Sequence, residues 1–202
     1  MTPTLPPRRS PVRGFTLIEL LVGIVVFTSL ISITYSFTAA EIRREEVNSL
    51  AIELASWLKV VQNTAQVRPG STSTTLANGC TITFTGATGN LVVPGSPLAS
   101  VAPAACSPNA GFNIPTGSSS RRGFRATITG GTGTPPNQVV FTPRGTVTAT
   151  NNVTLQLRLE DSALIRCVRV GATIGQVSIG ANNNDDQATN TTCDEGSFGG
   201  RF

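Results

Sequence analysis

Residues 15–37 read FTLIELLVGIVVFTSLISITYSF, and the reading of this run decides the fold. The run carries a single charge, Glu19. As a helix, about 23 residues rise roughly 35 Å, enough to cross a hydrocarbon core of about 30 Å. Its apolar residues favour no one face, as a span surrounded by lipid requires. Gly23 fits such a span, because glycine is commoner in membrane helices than in soluble ones. Glu19 is the anomaly. A carboxylate at that depth costs about 2.5 kcal/mol or more, so the chain must supply a partner for it.

The flanks give this run a direction. Residues 1–14 hold Arg8, Arg9 and Arg13 and no acid. Basic residues just before a span keep that end in the cytoplasm. Everything after about residue 38 is then expected in the periplasm of a two-membrane bacterium. The same three arginines account for most of the formal charge of +4, since 4 − 3 leaves +1. The basic balance therefore reads as a topology signal rather than a nucleic-acid signal.

Beyond the run the pattern changes at Glu41-Ile42-Arg43-Arg44-Glu45-Glu46. Val47, Leu50, Ala51, Leu54, Leu58 and Val61 then recur at steps of three and four, which marks one face of a helix. Glu46, Glu53, Ser56, Lys59 and Asn63 fall on the opposite, solvated face. Arg68-Pro69-Gly70 is a stop. The spacing predicts a helix from about Phe15 to about Gln66, a rod of about 75 Å if continuous. Its second half must dock the stripe onto the rest of the chain.

From Ser71 onward short alternating runs appear between Gly, Pro and Asn: 80–84, 124–128, 138–141, 153–159, 165–170 and 176–179. Period-two patterning of this kind predicts antiparallel strands. The fold class is α+β, a long N-terminal helix packed by its second half on an antiparallel β-sheet domain. Two stretches, 86–108 and 180–194, read as loops poor in packing residues.

Cys80, Cys106, Cys167 and Cys193 all fall in the exported part, where disulfides persist. Four cysteines allow three pairings. Cys80–Cys106 and Cys167–Cys193 are favoured, because each closes a nearby Gly-, Pro-, Asn- and Ala-rich loop. Zinc is disfavoured, since the chain has no histidine and no close cysteine pair. Asp185, Asp186 and Asp194 cluster hard oxygen ligands, but without the spacing of a calcium loop, so a solvated polar loop is the reading. No metal or cofactor is expected. Without histidine, and with no recognisable nucleophile pattern, an enzyme is not expected either.

Gly14 followed by Phe15-Thr16-Leu17-Ile18-Glu19-Leu20-Leu21-Val22 resembles the class III signal of type IV pilins and type II secretion pseudopilins. An ordinary secretory signal has a shorter apolar core with a small-residue cleavage site behind it. The resemblance implies that prepilin peptidase cuts between Gly14 and Phe15 and methylates the new amine of Phe15. Glu19 becomes the fifth mature residue, paired with that amine or with a neighbour's. The implied organisation is a leader at 1–14, a transmembrane half-helix at 15–37, an amphipathic half at 38–67 and a periplasmic β-rich domain at 68–202. The implied partners are prepilin peptidase, the inner membrane and other pilins in a filament. The charges at 41–46 read first as a solvated helix face, with pairing to neighbouring subunits as the alternative.

A second resemblance lies further on. Gln138-Val139-Val140-Phe141-Thr142-Pro143-Arg144-Gly145-Thr146-Val147, then 155–159 and Ile165-Arg166-Cys167-Val168-Arg169-Val170, is similar to the GspH/FimT family of H-type minor pseudopilins and pilins. Pro143-Arg144-Gly145 reads physically as a tight turn between strands. The resemblance implies a subunit of a type II secretion pseudopilus or a type IV pilus. The alternative is a minor pilin that binds DNA for transformation. DNA-uptake members of that family carry Gly-Arg-x-Arg where this chain has Gly175-Gln176-Val177-Ser178, without either arginine. Arg121, Arg122 and Arg125 form another basic cluster able to contact phosphates, with Phe124 expected to point into the core.

Overall fold

The computed structural model of the chain describes residues 16–67, 79–116, 123–130, 137–160, 162–182 and 192–198. Helix α1 runs Leu17–Val67. The chain divides into two compact units, residues 1–41 and 42–202.

In the second unit α1 buries the stripe anticipated from its spacing. Val47, Leu50, Ala51, Leu54, Leu58 and Val61 are all buried, joined by Ala55 and Ala65. Alanine at these flanking positions lets the helix approach the sheets closely without leaving the core unfilled. Glu53, Ser56, Lys59 and Asn63 face solvent.

Nine strands are described after α1: β1 (Cys80–Thr83), β2 (Thr88–Val92), β3 (Pro97–Ala102), β4 (Gly111–Asn113), β5 (Phe124–Thr129), β6 (Gln138–Phe141), β7 (Val153–Leu159), β8 (Ile165–Val170) and β9 (Val177–Asn182). They form two antiparallel sheets, in keeping with the α+β class expected. One has the order β4-β3-β1-β6 and the other β2-β5-β7-β8-β9, with every pairing antiparallel. Strand β7 shows the cause of pairing most plainly. Val153, Leu155, Leu157 and Leu159 point into the core, while Thr154, Gln156 and Arg158 alternate on the wetter face. Side chains from α1 and from both sheets join one hydrophobic core, in which Phe84, Phe124 and Phe141 are the largest fully buried groups. Phe124 thus points inward as expected.

The expectation of a loop over 86–108 is corrected. That stretch contains β2 and β3, and β4 follows it. These strands intersperse Gly, Pro, Ala, Ser and Asn among their few branched residues. Register shifts between Thr88 and Leu91 and between Pro97 and Ala99 also break the alternation. An extra residue on one strand moves later side chains to the other face, so period two is lost from the sequence although the pairing is kept.

Two disulfides brace the domain with the favoured pairing, Cys80–Cys106 and Cys167–Cys193. The first ties β1 to the short turn that precedes β4. The second holds residues 192–198 against β8 and β9. There the Ala181 N–H donates to Ser197 Oγ at 2.8 Å, and the Asn182 amide donates to the Thr192 carbonyl at 2.8 Å. The Arg169 guanidinium lies 3.6 Å from the centroid of the Phe198 ring, a cation–π contact. Phe198 also covers Gly180, where a Cβ would come within 2.8 Å of the ring.

Leu54 is fully buried and Ile52, two residues earlier, is 46% exposed. Leu54→Ala should cost about 2–5 kcal/mol, and Ile52→Ala no more than about 0.5 kcal/mol. Urea unfolding of the two variants checks the assignment of faces.

Candidate functional site

The N-terminal end of α1 is the site that the sequence singles out, and Thr16 and Glu19 build it. Thr16 is the residue before the helix, and its carbonyl accepts the first intrahelical bond, from Leu20 N–H at 3.2 Å. Its hydroxyl accepts the Glu19 N–H at 3.3 Å and donates to Glu19 Oε2 at 2.9 Å. The Thr16 N–H donates to the same carboxylate oxygen at 3.0 Å. This is a reciprocal capping box. Two backbone N–H groups that helix geometry leaves unpaired receive partners, and the carboxylate sits at the positive end of the helix dipole.

Reasoning from sequence treated Glu19 as a charge awaiting a partner and missed this local one. The signal was present as Thr16-Leu17-Ile18-Glu19, a Thr-x-x-Glu spacing ahead of an apolar run. Gly14 and Phe15 lie outside the described residues.

Below the cap the helix is apolar on every side. Leu17, Ile18, Leu20, Leu21, Val22, Ile24, Val25, Val26, Phe27, Leu30 and Ile31 are each more than half exposed. The hydroxyls among them turn back to the helix itself. Thr28 Oγ1 donates to the carbonyls of Ile24 and Val25 at 3.0 Å, and Ser29 Oγ donates to Val26 at 2.7 Å. That removes their need for water, as an apolar surrounding demands. Gly23 opens a notch on the face shared by Glu19 and Phe27, a concavity of about 450 Å³. Among the described residues no helix is long and apolar enough to cross a membrane. The side chains described in the apolar run extend from Thr16 to Ser32, about 25 Å of helix.

A second group of contacts couples α1 to the sheets within the globular unit. Arg166 on β8 is 3% exposed, and its Nε–H donates to Asn48 Oδ1 on α1 at 2.7 Å. Its Nη1 also donates to the Ile165 carbonyl at 3.1 Å. Burial pushes the guanidinium below its ordinary range; the like charge of Arg44 acts in the same direction and Glu45 opposes both. Sequence reasoning gave Arg166 no role, because alternation alone does not reveal that both faces of β8 are covered.

The Pro143-Arg144-Gly145 turn makes the other contact. The Gly145 N–H donates to the Thr142 carbonyl at 2.8 Å, closing the turn. Its carbonyl accepts Gln62 Nε2 at 2.9 Å. Gly145 has φ +75°, and a Cβ there would collide with the Gln66 side chain. The positive φ is what requires glycine; the Gln66 side chain is exposed and free to swing aside.

Of the candidate basic cluster, Arg125 lies on β5 and its Nη1 donates to the Gly89 carbonyl at 3.3 Å. Arg121 and Arg122 lie outside the described residues. Asp194 is exposed, and Asp185 and Asp186 lie outside the described residues, as does most of the expected polar loop. Among the described residues no cluster of metal-ligating side chains forms.

Residues 9–35 match the model of the prokaryotic N-terminal methylation motif. This motif places the chain among the type IV pilin-like proteins. The match spans both flanks of the capping box and the apolar helix below it. It implies processing by prepilin peptidase, assembly with other pilins and a precursor anchored in the inner membrane. Pilin-like proteins are generally structural subunits rather than enzymes. No curated protein and no solved structure matches the chain.

Two substitutions test the coupling contacts. Gly145→Ala forces a side chain into a left-handed backbone position and should cost about 1–3 kcal/mol. Asn48→Ala removes an acceptor from a buried charged donor and should cost about 1.5–3 kcal/mol. Both are read by chemical denaturation; a loss below about 0.5 kcal/mol would contradict the left-handed conformation required at Gly145 in the first case and the Asn48–Arg166 contact in the second.

Proposed function

We propose that the chain is an H-type minor pseudopilin or minor pilin, a subunit of a type II secretion pseudopilus or a type IV pilus. Prepilin peptidase cuts it between Gly14 and Phe15 and methylates Phe15. The first half of α1 anchors the precursor in the inner membrane, and the β domain lies in the periplasm. On assembly the helices leave lipid and pack against one another.

The observation that carries this reading is the arrangement of Glu19 above an uncovered apolar helix. Cleavage after Gly14 creates an amine on Phe15, the residue directly before the Thr16 N–H that Glu19 already holds. A carboxylate there has its own helix cap as partner in the precursor and gains a charged partner, its own amine or a neighbour's, after processing. An ion pair of this kind in an apolar surrounding fixes register more than it adds stability. The notch at Gly23 suits the close approach of another helix, since small residues let helix backbones pack tightly in membranes.

The H-type assignment draws support from the Phe141-Thr142-Pro143-Arg144-Gly145 segment, whose turn takes hold of the end of α1. The part that resembles the GspH/FimT family is thus the part that joins helix to sheet. The absence of arginines at 176 and 178, and the engagement of Arg125 with Gly89, favour a structural subunit over a DNA receptor.

Glu19→Ala tests the role of the carboxylate. The variant should be processed and reach the membrane, yet enter filaments at least about tenfold less well, since loss of a pairing worth about 1.4 kcal/mol is a factor of ten. The readout is the ratio of filament-bound to membrane-bound chain. Incorporation at the wild-type ratio would remove Glu19 from the assembly mechanism.

A further inference from the structure

A cleft of about 910 Å³ opens between α1 and the segment that leads into β4. Trp57 and Phe112 form its aromatic wall, with ring centroids 5.8 Å apart and planes tilted by 50°. Phe112 is almost fully buried, while Trp57 is half-buried and presents part of its ring to the cleft. The indole is fixed in place. Its Nε1–H donates to the hydroxyl of the buried Ser107 at 3.2 Å. Ser107 follows Cys106 directly, and the Cys80–Cys106 bridge ties that point to β1. The wall is therefore held from both sides before any ligand arrives.

The rim is polar and uncharged. Asn109 and Asn113 contribute side-chain amides, both on exposed residues, and none of the described lining residues carries a charge. Neither amide is engaged by another described residue. Gly111 lies in the same lining, where a Cβ would come within 2.5 Å of the Ala99 carbonyl oxygen, so β3 and β4 approach too closely there for any side chain.

We propose that this cleft is a binding site for a neutral saccharide. An indole face is electron-rich and receives the weakly positive C–H face of a sugar ring. An amide offers a donor and an acceptor together, the combination that matches neighbouring hydroxyls. The volume falls within the range of small-ligand sites, which pair an apolar wall with a few placed polar groups. An anionic ligand lacks a counter-charge among the described residues. A proline-rich peptide fits aromatic grooves as well, but the indole N–H that would donate to a peptide carbonyl is already held by Ser107.

Trp57 is the chain's one tryptophan, so its emission reports this cleft alone. The full-length chain, in a detergent without a sugar headgroup, is titrated with maltotriose, cellotriose, tri-N-acetylchitotriose and hexaproline. Saturation-transfer NMR reads the ligand side of the same mixtures. The expected result is a saturable change with at least one trisaccharide, insensitive to salt. Asn113→Ala, and the near-isosteric Asn113→Asp as a second variant, should weaken it roughly tenfold. No saturable change with any trisaccharide at about 10 mM, tenfold above a dissociation constant of about 1 mM, overturns the proposal. So does saturation by hexaproline instead, or binding that both Asn113 variants leave unchanged.

Discussion

Uncovered apolar surface is the constraint on which the rest of this molecule depends. Eleven large apolar side chains between Leu17 and Ile31 stand more than half exposed. A monomer in water does not sustain a contiguous surface of that kind. Lipid or other helices must cover it, and each further feature of the segment is consistent with such a surrounding. Thr28 and Ser29 bond back to their own helix. Glu19 answers to Thr16 rather than to water alone. The methylation motif over 9–35 covers this same segment.

The residues from Ile42 onward solve a different problem with the same helix. Here one face of α1 is covered by the chain itself, through a stripe of Val, Leu and Ala that fills the core with both sheets. Apolar packing is non-directional, and polar contacts set the alignment. Asn48 meets Arg166 on β8, and Gln62 meets the Gly145 carbonyl about four turns further along. These contacts fix the helix against the sheets near both ends of the buried stripe. The two disulfides act elsewhere, at the segment before β4 and at residues 192–198, where side chains alone supply little packing.

Much of this was legible in the sequence, for definite physical reasons. The run at 15–37 declared itself because apolar residues without a period have few alternative readings. The stripe from Val47 to Val61 followed from helical spacing, and β5 to β9 from short, largely alternating runs set between Gly, Pro and Asn, with β7 the clearest. The cystine pairing followed from proximity along the chain. Strands β2 to β4 were hidden because Gly, Pro and Ala have low strand preference and register shifts erase the period. The Thr16–Glu19 cap was written in four residues, yet a carboxylate in an apolar run draws the search for a partner outside the local helix. The contacts of Arg166 with Asn48 and of Trp57 with Phe112 join residues far apart in sequence. Neither strand period nor helix spacing encodes such pairs.

We propose that the apolar helix of the mature protein begins at a newly made amine four residues before Glu19, and assembly rests on that claim. Intact-mass and N-terminal peptide mass spectrometry of the chain recovered from its own membranes tests that claim most directly. The expected species begins at Phe15, carries one methyl group on its terminal nitrogen and retains two disulfides. A mature chain that keeps residues 1–14, or begins at any other residue, would contradict it.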